Sequence, residues 1–323
     1  MASPRFNYIV TIHNKEDMIE PVIQSLLMCC RAESRIYAVL DGCHDRSEAI
    51  IDEIIRKFVG VPIMKVHTAD VHELLSINAG LRAADHSGEG FNIVLQDDVI
   101  LADYRTEEKV THLYQWGGPT LGYVSFRLGA NFSSDACTSE AIVPLTDYTE
   151  NVYGHGTASD HLYPGEFAFR DVPIKSPVCI PFYLLRKVGV LEERLAPYGH
   201  DDTEFSIRCL ETGFLNGVFA LRFYSDVKWG GTRVNAHPNI SKTLGRNIGR
   251  IREWHGAALE RLSARSAIKP TARLFPCVGT EREHAEAALE LSQRTVQEWN
   301  RAQAPGLLSR VKRVARAICN SSR

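Results

Sequence analysis

The sequence predicts an α/β protein built on a mostly parallel β-sheet with helices on both faces. Strand-like and helix-like segments alternate through the N-terminal part of the chain, and the strand-like runs are apolar almost throughout. Those runs end in polar or acidic residues. Near-continuous apolar strands mark a sheet covered on both sides, because neither face has to meet water. With 323 residues and 44% hydrophobic content, the chain can bury a sizeable core, either as one large α/β domain or as one with helical additions.

Tyr8-Ile9-Val10-Thr11-Ile12-His13 is a short β-branched run with a polar end, and Glu20 to Cys29 carries the broad apolar face of a helix. Arg35 to Leu40 repeats the strand pattern and ends at Asp41-Gly42, and Ser47 is the expected N-cap of a helix over Glu48 to Phe58. Val61 to Val66 reads as a third strand and Glu73 to Ala84 as a third helix. Gly88-Glu89-Gly90 then leads into Phe91-Asn92-Ile93-Val94-Leu95, followed by Gln96-Asp97-Asp98. From Gln115 to Pro181 the pattern is irregular and reads as sheet-edge strands and substrate loops. Regularity returns at Pro181 to Val190 and in a helix over Thr203 to Thr212 that Gly213 ends. Glu281 to Gln303 has helical spacing, broken by Pro305-Gly306.

Bulk properties exclude some classes. A net charge of -2 and a pI near 6.6 provide no global basic field, so wholesale nucleic-acid binding has no electrostatic support. Cysteines at 29, 30, 43, 137, 179, 209, 277 and 319 form no CxxC pair or regular framework, and a reduced cytoplasmic protein is the simplest reading. Met1-Ala2-Ser3-Pro4-Arg5 runs straight into a strand, without the apolar core of a secretory signal. No apolar stretch reaches the roughly 20 residues that span a bilayer. The sequons at Asn131 and Asn239 accordingly read as chance.

In parallel sheets ligands gather beyond the carboxyl ends of the strands, which places His13-Asn14, Asp41 and Asp97-Asp98 on one rim. Adjacent carboxylates there repel each other unless a cation or several donors compensate them. Hard oxygen ligands suit Mg²⁺ or Mn²⁺, which complete their shells with substrate phosphates. A solvated turn is the other reading of an isolated Asp-Asp.

The order Tyr8-Ile-Val-Thr-Ile-His-Asn-Lys-Glu16, Ala38-Val-Leu-Asp-Gly-Cys-His-Asp45, Ser76-Ile-Asn-Ala-Gly-Leu81 and Val94-Leu-Gln-Asp-Asp-Val99 resembles the nucleotide-binding half of family 2 glycosyltransferases of the GT-A fold. Phe182 to Arg208, with Asp201-Asp202 at its centre, is similar to the acceptor-side segment of that family, in which an acidic pair opens a helix. The resemblance covers roughly residues 6 to 250. It implies a nucleotide-sugar-binding half over 1–114, an acceptor-binding and catalytic half over 115–255, and a helical extension over 256–323.

Position by position, the resemblance places Thr11, His13, Asn14 and Glu16 in the strand and loop around the nucleobase, with Asp41 on the base. Asn78 falls in the Arg-Asn-x-Gly pattern, with Ile77 replacing the basic residue. Asp97 faces the ribose and Asp98 ligates the metal, although Gln96 stands where many members carry another aspartate. Asp202 becomes the general base beside Asp201, with Glu204 following; a helix N-terminus favours an ionised carboxylate there, although an ordinary capping acid fits the same position. His237 resembles a late metal ligand and reads equally as a loop histidine. Trp229 is either a stacking surface beside the sugar or a core residue.

The implied activity is metal-assisted transfer of a sugar from a nucleoside-diphosphate donor, most commonly uridine-linked, to a hydroxyl of a glycan or other acceptor, with inversion. A nucleotidyltransferase is the second enzyme reading, but His13-Asn-Lys-Glu offers no glycine- and lysine-rich phosphate loop. A catalytically silent nucleotide-sugar or glycan-binding module is the third, kept open by Ile77 and Gln96. Leu307, Val311, Val314 and Ile318 among Arg310, Lys312, Arg313 and Arg316 form a basic amphipathic tail, either a peripheral anchor on an anionic membrane or a solvated helix.

Overall fold

The N-terminal part alternates strand and helix: β1 (Arg5–Ile12), α1 (Ile19–Cys29), β2 (Arg35–Asp41), α2 (Ser47–Lys57), β3 (Ile63–Thr68), α3 (His72–Ala83) and β4 (Gly90–Gln96), then the two-residue strand Ile100–Leu101 and α4 (Thr106–Gly117). Further along lie α5 (Phe182–Val188), α6 (Asp201–Glu211) and α7 (Ile240–Ser263), with short strands between α4 and α5 and between α6 and α7, and one, Thr271–Arg273, after α7. The computed structural model describes residues 3–31, 33–132, 147–148, 160–225, 240–264, 271–279 and 282–287, and the single positions Glu290, Arg294, Glu298 and Arg301.

One nine-stranded sheet carries the fold. Its order is Thr271–Arg273, Glu166–Phe169, Leu215–Phe219, Leu121–Ser125, Val178–Pro181, β4, β1, β2, β3. The four labelled strands are mutually parallel, and Val178–Pro181 runs antiparallel to β4. The apolar strands bury both faces. Phe6, Tyr8, Val10 and Ile12 enter the core layer under α1, α2 and α4, whereas Ile9 enters the layer with Leu74, Ile77 and Leu81 of α3, Leu184, Phe205 and Ile251. Each such side chain contributes about 1.5–3 kcal/mol on burial, which is why the strands hold the rim above them rigid. Gly80 lets α3 lie close on the sheet, since a Cβ there would sit 2.5 Å from Ile9 Cγ2 and 2.8 Å from Val39 Cγ2.

Three expectations change. Leu121–Ser125 and Val178–Pro181, from the stretch read as sheet edge, are interior strands, Val178–Pro181 beside β4 and Leu121–Ser125 next to Val178–Pro181, because their short runs pair on both sides. Thr106–Gly117 is a helix the sequence pattern did not single out. Ser47 begins α2 rather than capping it: its N–H donates to Asp45 Oδ1 at 3.0 Å, and its hydroxyl accepts from the Lys15 N–H at 2.9 Å. The segment from 303 to 323, with the basic tail, lies outside the described residues. None of the described helices is long and apolar enough to cross a membrane.

α7 crosses position 255 and is interrupted there, where His255 takes φ −127° and ψ 17°. The imidazole meets α6 through Nε2, 3.2 Å from Glu204 Oε1, and Nδ1, 3.4 Å from Glu211 Oε2. Arg208 Nε also donates to both Glu204 oxygens, at 2.8 and 2.9 Å, and Arg261 pairs with Glu211 at 3.0 Å. The bond to Glu204 raises the His255 pKa, outweighing the burial that lowers it. A histidine raised in the folded state adds stability that is complete below its unfolded pKa and is lost as pH climbs through the folded value. In urea unfolding series, the stability gap between wild type and His255→Ala will therefore be widest at about pH 6 and narrow by about pH 9.

Candidate functional site

The polar ends of the parallel strands meet at the point where strand order reverses, with β1 between β2 on one side and β4 on the other. His13, just past β1, links both neighbours. Its backbone N–H donates to Asp97 Oδ2 at 2.8 Å, and its Nδ1 lies 2.7 Å from the Asp41 carbonyl. A carbonyl only accepts, so the ring carries its proton on Nδ1, and Nε2 accepts from Asn14 Nδ2 at 3.1 Å. Asp41 is held through one oxygen, which takes the Thr68 hydroxyl at 2.7 Å and the Val71 N–H at 2.8 Å.

The loop after β1 is laced to the turn before α2. Asn14 Oδ1 accepts from the His44 N–H at 2.8 Å, the Glu16 N–H donates to Asp45 Oδ2 at 2.8 Å, and Glu16 Oε2 accepts from the Arg46 N–H at 3.0 Å. Gly42 takes φ +58°, and a Cβ on it would lie 2.6 Å from Asp70 Cβ, so the loops after β2 and β3 touch backbone to backbone. Among the described residues, the non-glycine positions with positive φ are Asn14, Asp70, His72 and His200. Asn14, Asp70 and His200 belong to loops on this rim and His72 opens α3 there; left-handed backbone costs of order 1–3 kcal/mol each and persists only if its surroundings enforce it.

Asp97 and Asp98 follow β4 and are buried. Burial pushes the Asp97 carboxyl up to about 7, against the pull of Lys15, 3.9 Å away, and of the His13 N–H; the Asp98 charge adds to the push. Two adjacent buried carboxylates, with Lys15 beside Asp97, are a hard oxygen donor set of the kind that suits a divalent cation. A second set able to take a cation is His13, Asp41 and Asp70, whose ligand atoms lie within 4.8 Å of one another. The hydrogen bonds to His13 Nδ1 and Asp41 Oδ1 already occupy atoms of that set.

A second acidic centre opens α6. Asp201 is fully buried and accepts from the Gly199 N–H at 3.0 Å and from the Lys175 ammonium. Asp202 is half-buried at the helix N-terminus, and its Oδ1 accepts from the Thr203 N–H at 2.8 Å. Burial and the Asp201 charge raise its pKa, while Lys175 opposes them. Lys175 also lies 3.4 Å from Glu73 Oε1, the atom that accepts from Gln96 Nε2 at 2.6 Å. The strand end that carries Asp97-Asp98 and the helix start that carries Asp201-Asp202 are thus joined through Gln96, Glu73 and Lys175.

The structure brings Thr11, His13, Asp41, Asp97 and Asp98 to one rim, with Thr11 buried in register between Val39 and Gln96. Asn14 and Glu16 shape the loop there through the bonds given above. The expectation for Asn78 is corrected. It is fully buried, its amide donates to the Leu191 carbonyl and Glu193 Oε1, and its oxygen accepts from the Leu191 N–H, so it clamps α3 to the 191–193 segment. Ile77 is a core residue, packed in the layer of α3. Glu204 serves the α6–α7 contact. His237 and Trp229 lie outside the described residues.

Glu73, Asp70 and Lys175 escaped the sequence reading. The available signal was that Lys175 is the only lysine between Lys109 and Lys187.

No protein-family model matches the chain, and no curated protein matches it in sequence. Among solved structures, residues 1–349 of TarS from S. aureus in complex with UDP-GlcNAc align over 76% of this chain and 66% of that one, at 14% identity and a TM-score of 0.51. Against a second TarS structure the match covers 69% of this chain but only 37% of that one, at 15% identity and a TM-score of 0.47. The mannosyltransferase PcManGT from Pyrobaculum calidifontis, in complex with GDP-Man and Mn²⁺, aligns over 98% of this chain and 81% of that one, at 16% identity and a TM-score of 0.48. The fold is a GT-A-like glycosyltransferase fold, with a mixed, mostly parallel sheet flanked by helices.

Because burial raises the Asp97 pKa above its unfolded value, its contribution to stability is complete below about pH 4 and is lost as pH rises through about 7. In buffer with chelator, Asp97→Asn will therefore be more stable than wild type at about pH 8, by about 1–3 kcal/mol, and will show no such gain at about pH 4. Denaturant midpoints at the two pH values check this.

Proposed function

We propose that this chain is a glycosyltransferase that moves a sugar from a nucleoside-diphosphate sugar, uridine-linked first of all, to a hydroxyl of a glycan or other acceptor, by single displacement with inversion at the anomeric carbon. The observation that carries this reading is the convergence of two acidic centres in different settings: Asp97-Asp98 at a strand end, and Asp202 at a helix start, joined through Gln96, Glu73 and Lys175. The shared fold with TarS, whose structure contains UDP-GlcNAc, supports the choice of donor class.

Asp41, pinned by Thr68 and Val71, and His13, with its tautomer set, frame the nucleobase and ribose side. Asp98, with Asp97 beside it and His237 as a further ligand in this reading, would hold Mn²⁺ or Mg²⁺ together with the donor diphosphate. Such a cation supplies electrophilic stabilisation of charge on the departing diphosphate. Asp202 takes the proton from the acceptor hydroxyl as its oxygen bonds to the anomeric carbon and the bond from that carbon to the diphosphate breaks. Its raised pKa suits it to accept a proton near neutral pH, and the α6 N-terminus steadies the ionised form beforehand. Residues 1–114 and 115–255 supply the donor and acceptor sides of one domain in this reading, with 256–323 as an extension. The basic tail from 307 to 318 is suited to a weak contact with an anionic membrane surface.

Titration calorimetry with a panel of nucleoside diphosphates, with and without Mn²⁺, tests the donor site. One nucleotide will bind in a metal-dependent way that Asp98→Ala abolishes. Asp202→Asn will keep that affinity and lower turnover by about 10²–10⁴. A folded protein that binds none of the nucleotides under any metal condition would overturn the reading.

A further inference from the structure

Lys175 occupies a place that simple neutralisation does not require. Its side chain is 11% exposed, and it sits against Asp201, whose side chain is 1% exposed, and Glu73, with Asp202 also acting on it. Burial alone would lower a lysine pKa, but here the carboxylates of Asp201, Glu73 and Asp202 outweigh burial and hold it raised. One ammonium therefore serves three acids. The next residue reaches the other motif, since the Ser176 hydroxyl accepts from the Gln96 N–H at 3.0 Å. Gln96 in turn donates its side-chain amide to Glu73 at 2.6 Å. That bond gives Gln96 a role an aspartate could not fill, because an ionised carboxylate has no proton to offer Glu73.

We propose that Lys175 is a positioning residue that locks the strand end carrying Asp97-Asp98 to the helix start carrying Asp201-Asp202, and keeps Asp202 ionised at neutral pH. The role in catalysis rests on the transferase reading above; the electrostatic role does not. Asp201, whose side chain is 1% exposed, accepts from the Lys175 ammonium and from the Gly199 N–H, so Lys175 is the cation set against it among the described residues. With Lys175 in place, Asp202 still feels a cation nearby, which opposes the rise that burial and Asp201 cause. Without it, three acids share an enclosed space in which burial already raises Glu73 and Asp202, and their mutual repulsion favours the protonated forms, that of Asp202 included. Glu73 and Gln96 pass the constraint to β4, so loss of Lys175 also loosens the spacing between donor and acceptor sides.

Carbon-13 NMR of the aspartate side-chain carboxyls, on the full chain in chelator, reads the titration of Asp202 directly, with Asp202→Asn assigning its signal. Lys175→Met will move the Asp202 midpoint upward by about 1 pH unit or more, and Lys175→Arg will restore it towards wild type. Asp201→Asn will move it downward, a result that stays available if Lys175→Met does not fold. An Asp202 midpoint unchanged in Lys175→Met, or in Asp201→Asn where only that variant folds, overturns the proposal. If nucleotide-dependent turnover is found, the acid limb of kcat will move with the NMR midpoint in Lys175→Met, while nucleotide Kd stays as in wild type; a merely structural lysine would not shift that limb. If the midpoint moves and no nucleoside diphosphate binds, the electrostatic assignment stands and the transferase reading falls.

Discussion

Like charges gathered at one edge of a sheet are the constraint around which this protein is arranged. Asp97, Asp98, Glu73, Asp201 and Asp202 converge on the rim above the parallel strands, and most of them are shielded from water. Two such charges about 5 Å apart repel by roughly 3 kcal/mol at an effective dielectric near 20. The fold meets this cost with Lys15 beside Asp97, with Lys175 among the other three, and with backbone N–H groups of His13, Gly199 and Thr203. Burial still holds the Asp97 and Asp202 carboxyls above the usual carboxylate range, so both are receptive to a proton.

The scaffold makes that arrangement durable. Strands buried on both faces offer little freedom, and the loops above them are stitched to one another, Asn14 to His44 and Glu16 to Arg46. Left-handed backbone at Asn14, Asp70, His72 and His200 is concentrated on the same rim, so local strain is sustained by the packing beneath it. Beyond its acidic start, α6 is braced by the pairing of His255 and Arg208 with Glu204. Charges at its front face the site, and charges one turn later hold the helix in place.

How much of this was readable before any coordinates depends on the range of the forces involved. The period of apolar residues in Tyr8–Ile12, Arg35–Leu40 and Phe91–Leu95 reports local geometry and both-face burial, and those strands form where the pattern puts them. Val178–Pro181 is too short to carry a period, so its interior position beside β4 had no local signal. Asn78 shows the same limit from the other side. Its motif suggested a ligand contact, and only the position of Leu191 and Glu193, more than a hundred residues later, consumes its amide.

The sequence by itself determined the four parallel strands β1 to β4, the helices α1 to α3 between them and the acidic strand ends, because hydrophobic period and strand-end chemistry are written in neighbouring residues. The tertiary structure alone decided which acids meet, that Gln96 answers Glu73, and that Lys175 lies between the two acidic motifs. Those pairings join residues separated by 23, 102 and 26 positions in the chain (96 − 73, 175 − 73 and 201 − 175). Electrostatic interaction depends on distance through space, and the folded sheet is what sets that distance.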